Sequence, residues 1–248
     1  MIKIPFILLI FLTVCLMACS PKSSKEEVLS ETTVEEITPE VPVTVTVLPS
    51  EGFPDAMLEL YRPLGNETFP PGKVPFEFNI KNFPFGQQRP LMVSVNGGDP
   101  QAYPQAVFSK EFNAGTYRVV AFLTDEKGMA LKEFGNFVDR DFLVGQSRPF
   151  PAAAEPYLMV NFPRQSQEYN SGEPVVVDFL VVGGDLKLDG LTVEAKVGEF
   201  VYKASSANAL QLQNLPKGEH MVRIDLVKND GTALSNIFAT ASRRIVVK

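Results

Sequence analysis

The sequence predicts an all-β protein carrying two copies of one β-sandwich, and three observations predict it. The 248-residue chain is rich in turn formers, with 20 Pro and 17 Gly, and in Val and Phe, and it has no long Ala/Leu/Glu/Lys-rich segment. Short runs alternate apolar and polar residues, the period of a strand with one buried face. Residues 53–248 can also be laid on themselves as an internal repeat of roughly 95 residues.

Near its start the chain has a single early cation, Lys3, an apolar run from Ile4 to Ala18 broken by Pro5, and then Cys19. That run is shorter than the ~20 apolar residues a bilayer core demands, so it reads as an export signal over residues 1–18. Leu16, Met17, Ala18 and Cys19 resemble the bacterial lipobox, whose cysteine is acylated, for example with palmitate, and becomes the first mature residue. The resemblance implies cleavage before Cys19, with Leu16 and Ala18 as its recognition residues, and a lipid anchor holding the protein in the bacterial cell envelope. Ser20 resembles the residue that permits export to the outer membrane. Cys15 leaves with the signal, so the mature chain has no cysteine pair and the fold rests on apolar burial.

Residues 19–52 are expected to form a flexible acidic linker. Ser, Thr, Pro and Glu dominate it, a composition that buries too little apolar surface to offset its ordering entropy. Val41 to Val47 alternates like a strand but is bracketed by Pro42 and Pro49, and is expected to be extended linker, with an added edge strand as the alternative.

The first copy is expected at 53–146 and the second at 155–248, joined by the proline-containing linker 147–154, which implies two domains held at a semi-rigid spacing. Leu58 to Pro63 matches Leu158 to Pro163; Phe76, Phe78 and Ile80 are laid on Val175, Val177 and Phe179; and Leu91 to Val95 answers Leu191 to Ala195. Towards each C-terminal end the offset stays constant at 103 positions, pairing Gly115 with Gly218, Leu123 with Leu226, Gly128 with Gly231 and Val144 with Val247.

Gly115-Thr116-Tyr117-Arg118-Val119 resembles the lead-in to strand F of immunoglobulin-like and fibronectin-like sandwiches, where a tyrosine corner fixes the chain. Gly218-Glu219-His220-Met221-Val222 is similar to the form found in bacterial envelope modules. The resemblance implies two tandem Ig-like antiparallel sandwiches with Tyr117 and His220 as structural corners. An antibody-type Cys, Trp, Cys framework is absent, since the chain has no Trp.

Chemistry finds little support. The single histidine fills the corner slot, and no Gly-x-Ser-x-Gly elbow accompanies it, so no catalytic residue is expected. Asp185 and Asp189 suggest a calcium loop only weakly because Lys187 sits between them, and Asp139 and Asp141, flanking Arg140, read as a solvated strand face rather than a glycosidase pair. No metal and no cofactor are expected. Lys plus Arg number 23 against 29 Asp plus Glu, a formal net charge of −6 without a basic stripe, which argues against nucleic acid.

The expected function is a non-catalytic binding or scaffolding module on a membrane anchor, contacting a protein partner. A glycan-binding module is the alternative and an unrecognised hydrolase a more distant one. Phe83, Phe85, Tyr103, Phe108, Phe134 and Phe137 fall outside the clearest core alternation. The loops before each last strand, with Phe134 and Phe137 in the first copy and Ile237 and Phe238 in the second, are the candidate binding loops.

Overall fold

The computed structural model describes residues 42–50 and 52–248; the lipobox residues Leu16, Ala18 and Cys19 lie outside them. The described chain contains no helix. Strand β1 (Thr44–Leu48) comes first, followed by β2 (Met57–Arg62), β3 (Thr68–Phe69), β4 (Gly72–Lys81), β5 (Leu91–Val95), β6 (Gln101–Tyr103), β7 (Val107–Phe112), β8 (Gly115–Phe122) and β9 (Phe137–Val144). The second copy supplies β10 (Tyr157–Phe162), β11 (Gln167–Tyr169), β12 (Val175–Val182), β13 (Leu191–Val197), β14 (Phe200–Ala204), β15 (Ala209–Gln213), β16 (Gly218–Lys228) and β17 (Thr240–Val247).

In the first sandwich the sheet β2-β4-β7 faces the sheet β3-β9-β8-β5-β6. Alternation fills the space between them: Val74, Phe76 and Phe78 from β4 meet Val119 and Ala121 from β8, Leu91 and Val93 from β5 and Phe142 from β9. In the second sandwich the sheet β1-β15-β12-β10 faces β11-β17-β16-β13-β14, around Val175, Val177, Phe179, Val193, Ile224 and Ile245. Each sandwich ends its larger sheet with a short parallel strand, β3 beside β9 and β11 beside β17. Both are Ig-like antiparallel sandwiches with this one parallel edge.

Equivalent ladder positions correct the repeat register in one strand. Leu60 pairs with Phe78 just before a bulge, and Val160 pairs with Phe179 just before the corresponding bulge. Val74, Phe76 and Phe78 are therefore the counterparts of Val175, Val177 and Phe179, two residues out of step with the sequence match. A period-2 pattern looks the same after a slip of two, so alternation alone does not fix register.

Two expectations about connections are overturned. Residues 44–48, expected first as linker, instead form β1, the edge strand held as the alternative, and they join the second sandwich: Thr44 pairs with Gln213, Val45 with Leu212 and Leu48 with Ala209. The brackets Pro42 and Pro49 lie outside the ladder, where missing N–H groups cost nothing, and Val43 and Val45 pack against the second core. The chain thus enters the second sandwich, crosses to build the first, and returns. Nor are the sandwiches merely spaced by 147–154. The outer face of β8, with Val120 and Phe122, packs on the outer face of β10 and β12, with Tyr157, Met159, Leu180 and Val182, so the four sheets form four layers sharing a third core.

The two remaining outer faces are polar. Glu59 accepts hydrogen bonds from Tyr61, Asn79 and Lys81 on one. On the other, Glu194, Lys196, Lys203, Arg223 and Asp225 form a chain of ion pairs. Equivalent positions are apolar where the modules meet and charged where they meet water.

Candidate functional site

The seam between the sandwiches gathers most of the chain's buried charge, and it is built from three clusters. At its centre the Asp178 carboxylate is wholly buried on β12. It accepts from Ala130 N at 2.8 Å, from Asn161 Nδ2 at 2.7 Å and from the Lys132 ammonium, so the β8–β9 hairpin of the first sandwich is tied to the second. Lys132 also donates to Phe179 O, and Asn161 Nδ2 to Gly128 O at 2.8 Å. A buried carboxylate with three donors is satisfied, which is the condition for tolerating it in an apolar layer.

At one end, Arg118 on β8 makes a bidentate pair with Asp141 at 2.6 and 2.7 Å. Its guanidinium lies 4.2 Å from the Tyr157 ring centre and 5.2 Å from that of Phe238. Tyr157 Oη donates to Asp139 at 2.9 Å. Burial works against the Arg118 cation, but the Asp141 hydrogen bonds together with the charge interactions of Tyr157, Asp141 and Asp139 outweigh it, and its pKa is raised above the usual value. Burial, reinforced by the neighbouring Asp139 charge, pushes the Tyr157 phenol far above the ordinary tyrosine range.

Next to Arg118, whose carbonyl accepts from Asn96 N at 2.8 Å, the turn after β5 reaches the second sandwich. Arg243 Nη2 donates to Gly97 O at 2.6 Å, its Nε lies 3.3 Å from Asp99 Oδ1, and Gln165 N donates to Asp99. Burial lowers the pKa of Arg243 and of Arg164, and Asp99 opposes the shift in both. Gly97 has φ +68°, and a Cβ there would meet the Phe238 ring at 3.5 Å. Glycine suits both the left-handed turn and the close seam.

The sequence-predicted residues divide between corner, seam and surface. Tyr117 Oη donates to Asn113 O at 3.0 Å and His220 Nε2 to Pro216 O at 2.7 Å, each reaching the carbonyl four residues back. Of the four loop residues, Phe134 is 92% exposed and Ile237 56% exposed. Phe137 and Phe238 are half-buried and pack against the third core, Phe137 with part of its ring on a cleft wall. Phe83, Phe85, Tyr103 and Phe108 pack against the first core.

Asp139 and Asp141 do not form a solvated face, since both partner seam groups. In the loop after β12, Asp185 accepts from Lys187 N and Leu188 N, and Asp189 accepts from Asp185 N; these carboxylates fold their own turn. Among the described residues no group of three His, Cys, Asp or Glu is placed to hold a metal ion.

Sequence reasoning missed Arg118, Lys132, Tyr157, Asp178 and Arg243. A cleft of about 380 Å³ opens beside Lys132, walled by Phe137, Leu180 and Leu186 and bordered by Phe134 and Lys187. Leu188, next to Lys187, is 85% exposed. Apolar walls with a few polar groups are the usual make-up of a binding cleft.

No protein-family model matches the chain, and no curated protein matches it. Solved structures do. Fibronectin(III)-like modules of Clostridium thermocellum CbhA match at 15% identity and a TM-score of 0.29, over 77% of this chain and 94% of that one. Three N-terminal domains of the Highly Immunogenic Outer Capsid protein of bacteriophage RB49 match at 11% and 0.24, over 78% and 69%. The D00-D0 domain of intimin matches at 12% and 0.23, over 77% and 100%.

Proposed function

We propose that this chain is a lipid-tethered protein of the bacterial cell envelope, placed at the outer membrane, that binds or scaffolds a protein partner without catalysis. The tether reading rests on Leu16, Ala18 and Cys19, and the outer-membrane placement on Ser20. The observation that carries the binding reading is the exposed Phe134 at the mouth of the seam cleft, since a large ring held in water at a concave apolar surface is the mark of a contact site. The layered construction supports it: a cleft walled by both sandwiches keeps its shape only while they stay packed.

A photo-crosslinking residue at position 134, in intact cells, is expected to capture one protein reproducibly, while the same residue at Lys203 on the polar outer face captures none. Equal capture at both positions refutes the cleft. The tether is tested separately, by palmitate labelling and fractionation: Cys19→Ser is expected to abolish label and membrane association, and a labelled or membrane-bound variant refutes it.

A further inference from the structure

Strand β1 is held by the second sandwich on one side only. Its partners on β15 are deeply buried, with Leu210 and Leu212 each 1% exposed, whereas Thr44 and Thr46 are exposed and Val47 is 42% exposed. Beyond the ladder itself, its seat includes the partial burial of Val43, Val45 and Leu48 and a hydrogen bond from Asn214 Nδ2 to Pro42 O at 3.2 Å. No described element lies outside β1, so it can leave without disturbing another strand.

The segment that follows is pinned soon afterwards. Asn136 Nδ2 donates to Phe53 O and Ala56 O, which fixes residues 53–56 to the first sandwich. Any change in the path of β1 is therefore confined to Pro49-Ser50-Glu51-Gly52, a stretch holding a proline and a glycine.

We propose that the β15 edge accepts β1 from a second copy of this chain, so that two copies exchange N-terminal strands reciprocally. The ladder formed between copies is the ladder already present within one, Thr44 on Gln213 through Leu48 on Ala209. Exchange therefore costs no contact in the seat, and the balance between closed single chains and exchanged pairs depends on concentration and on the hinge. The four hinge residues reach at most about 14 Å when extended, which puts the two-fold axis beside the cleft lined by Leu48, Pro49, Ala209 and Gln211. The first sandwich has no such seat. Lys110 and Phe108 stand where Leu212 and Leu210 stand in the second, Lys110 bonds Gln101 and Phe108 stacks on Tyr103, and among the described residues no strand pairs with the outer side of its edge strand β7.

The test uses residues 20–248, which contain every described residue and no cysteine. Thr46 and Gln211 face each other across the ladder. Chains carrying Thr46→Cys and chains carrying Gln211→Cys, of different mass, are mixed and oxidised. Exchange predicts a mixed disulfide several-fold more abundant than either homodimeric disulfide, rising with protein concentration and suppressed by excess synthetic peptide 42–50. The double variant in one chain must close on itself; if that pair does not, Val45→Cys with Leu212→Cys takes its place in both arms. A pair that closes within one chain but yields mixed disulfide at no more than the roughly twofold excess of random pairing, with no concentration dependence and no competition by the peptide, overturns the proposal.

Discussion

Replacing Asp178 by alanine is expected to cost about 3–5 kcal/mol, the usual penalty for removing one partner of a buried ion pair. The magnitude follows from what is left behind. The Lys132 side chain is 12% exposed and keeps only Phe179 O as acceptor, while Ala130 N and one hydrogen of Asn161 lose theirs. Two orphaned donors alone cost about 1–3 kcal/mol each in isolation, and relaxation of the seam keeps the sum below simple addition. Urea unfolding followed by tyrosine fluorescence and circular dichroism measures the loss. Because the carboxylate ties one sandwich to the other, the two probes, coincident in the parent, are expected to separate in the variant. Asp178→Leu with Lys132→Met removes both charges and is expected to recover part of the loss, leaving about 1–3 kcal/mol from the donors that still lack acceptors. A single variant within about 1 kcal/mol of the parent, or a double variant no more stable than the single, refutes this account of the seam.

Arg118→Lys keeps the charge but loses the bidentate pair with Asp141 and the stack on Tyr157, and is expected to lower the thermal midpoint by several degrees; an unchanged midpoint in calorimetry contradicts the cage. For Asp225, burial raises the carboxyl pKa but hydrogen bonds from Arg223, Thr240 and Lys196 outweigh it, leaving it lowered. A lowered folded pKa means stability present above the unfolded value near 3.9 and lost as pH falls through the folded one, so Asp225→Asn is expected to flatten the acid limb of stability against pH, measured by denaturant midpoints from about pH 6 to pH 2. Phe134→Ser is expected to shift stability by less than about 0.5 kcal/mol, since the ring is 92% exposed; a larger loss in urea unfolding means that the ring is structural.

Much of the fold was legible because each core is local and periodic. Leu91 to Val95, the corners at Tyr117 and His220, and the constant offset of 103 positions all follow from residues that face one core. The seam was not read, although its signal was present. Val175-Val176-Val177-Asp178-Phe179-Leu180-Val181-Val182 is apolar on both faces, and so is Val119-Val120-Ala121-Phe122; a strand apolar on both faces needs cover on both. The matching strand of the first copy, Phe76-Glu77-Phe78-Asn79, has a polar second face and meets solvent. What no pattern contains is which strand pays a visit to which sheet: Thr44 to Leu48 read the same as linker or strand, and only the vacant edge of β15, far along the chain, decides between them.

That edge also sets an order of assembly. Every strand of the first sandwich lies between residues 57 and 144, so this module closes as soon as its own residues are available. The second sandwich has its first strand at residue 44 and that strand's partner at residue 213, so β1 is synthesised before any other described strand and is seated among the last. Pairing across so much chain is slow, because the loop must close before any contact rewards it. A chain interrupted between β9 and β15 would hold a folded first sandwich behind an unseated β1. The arrival of β15 is thereby registered at β1.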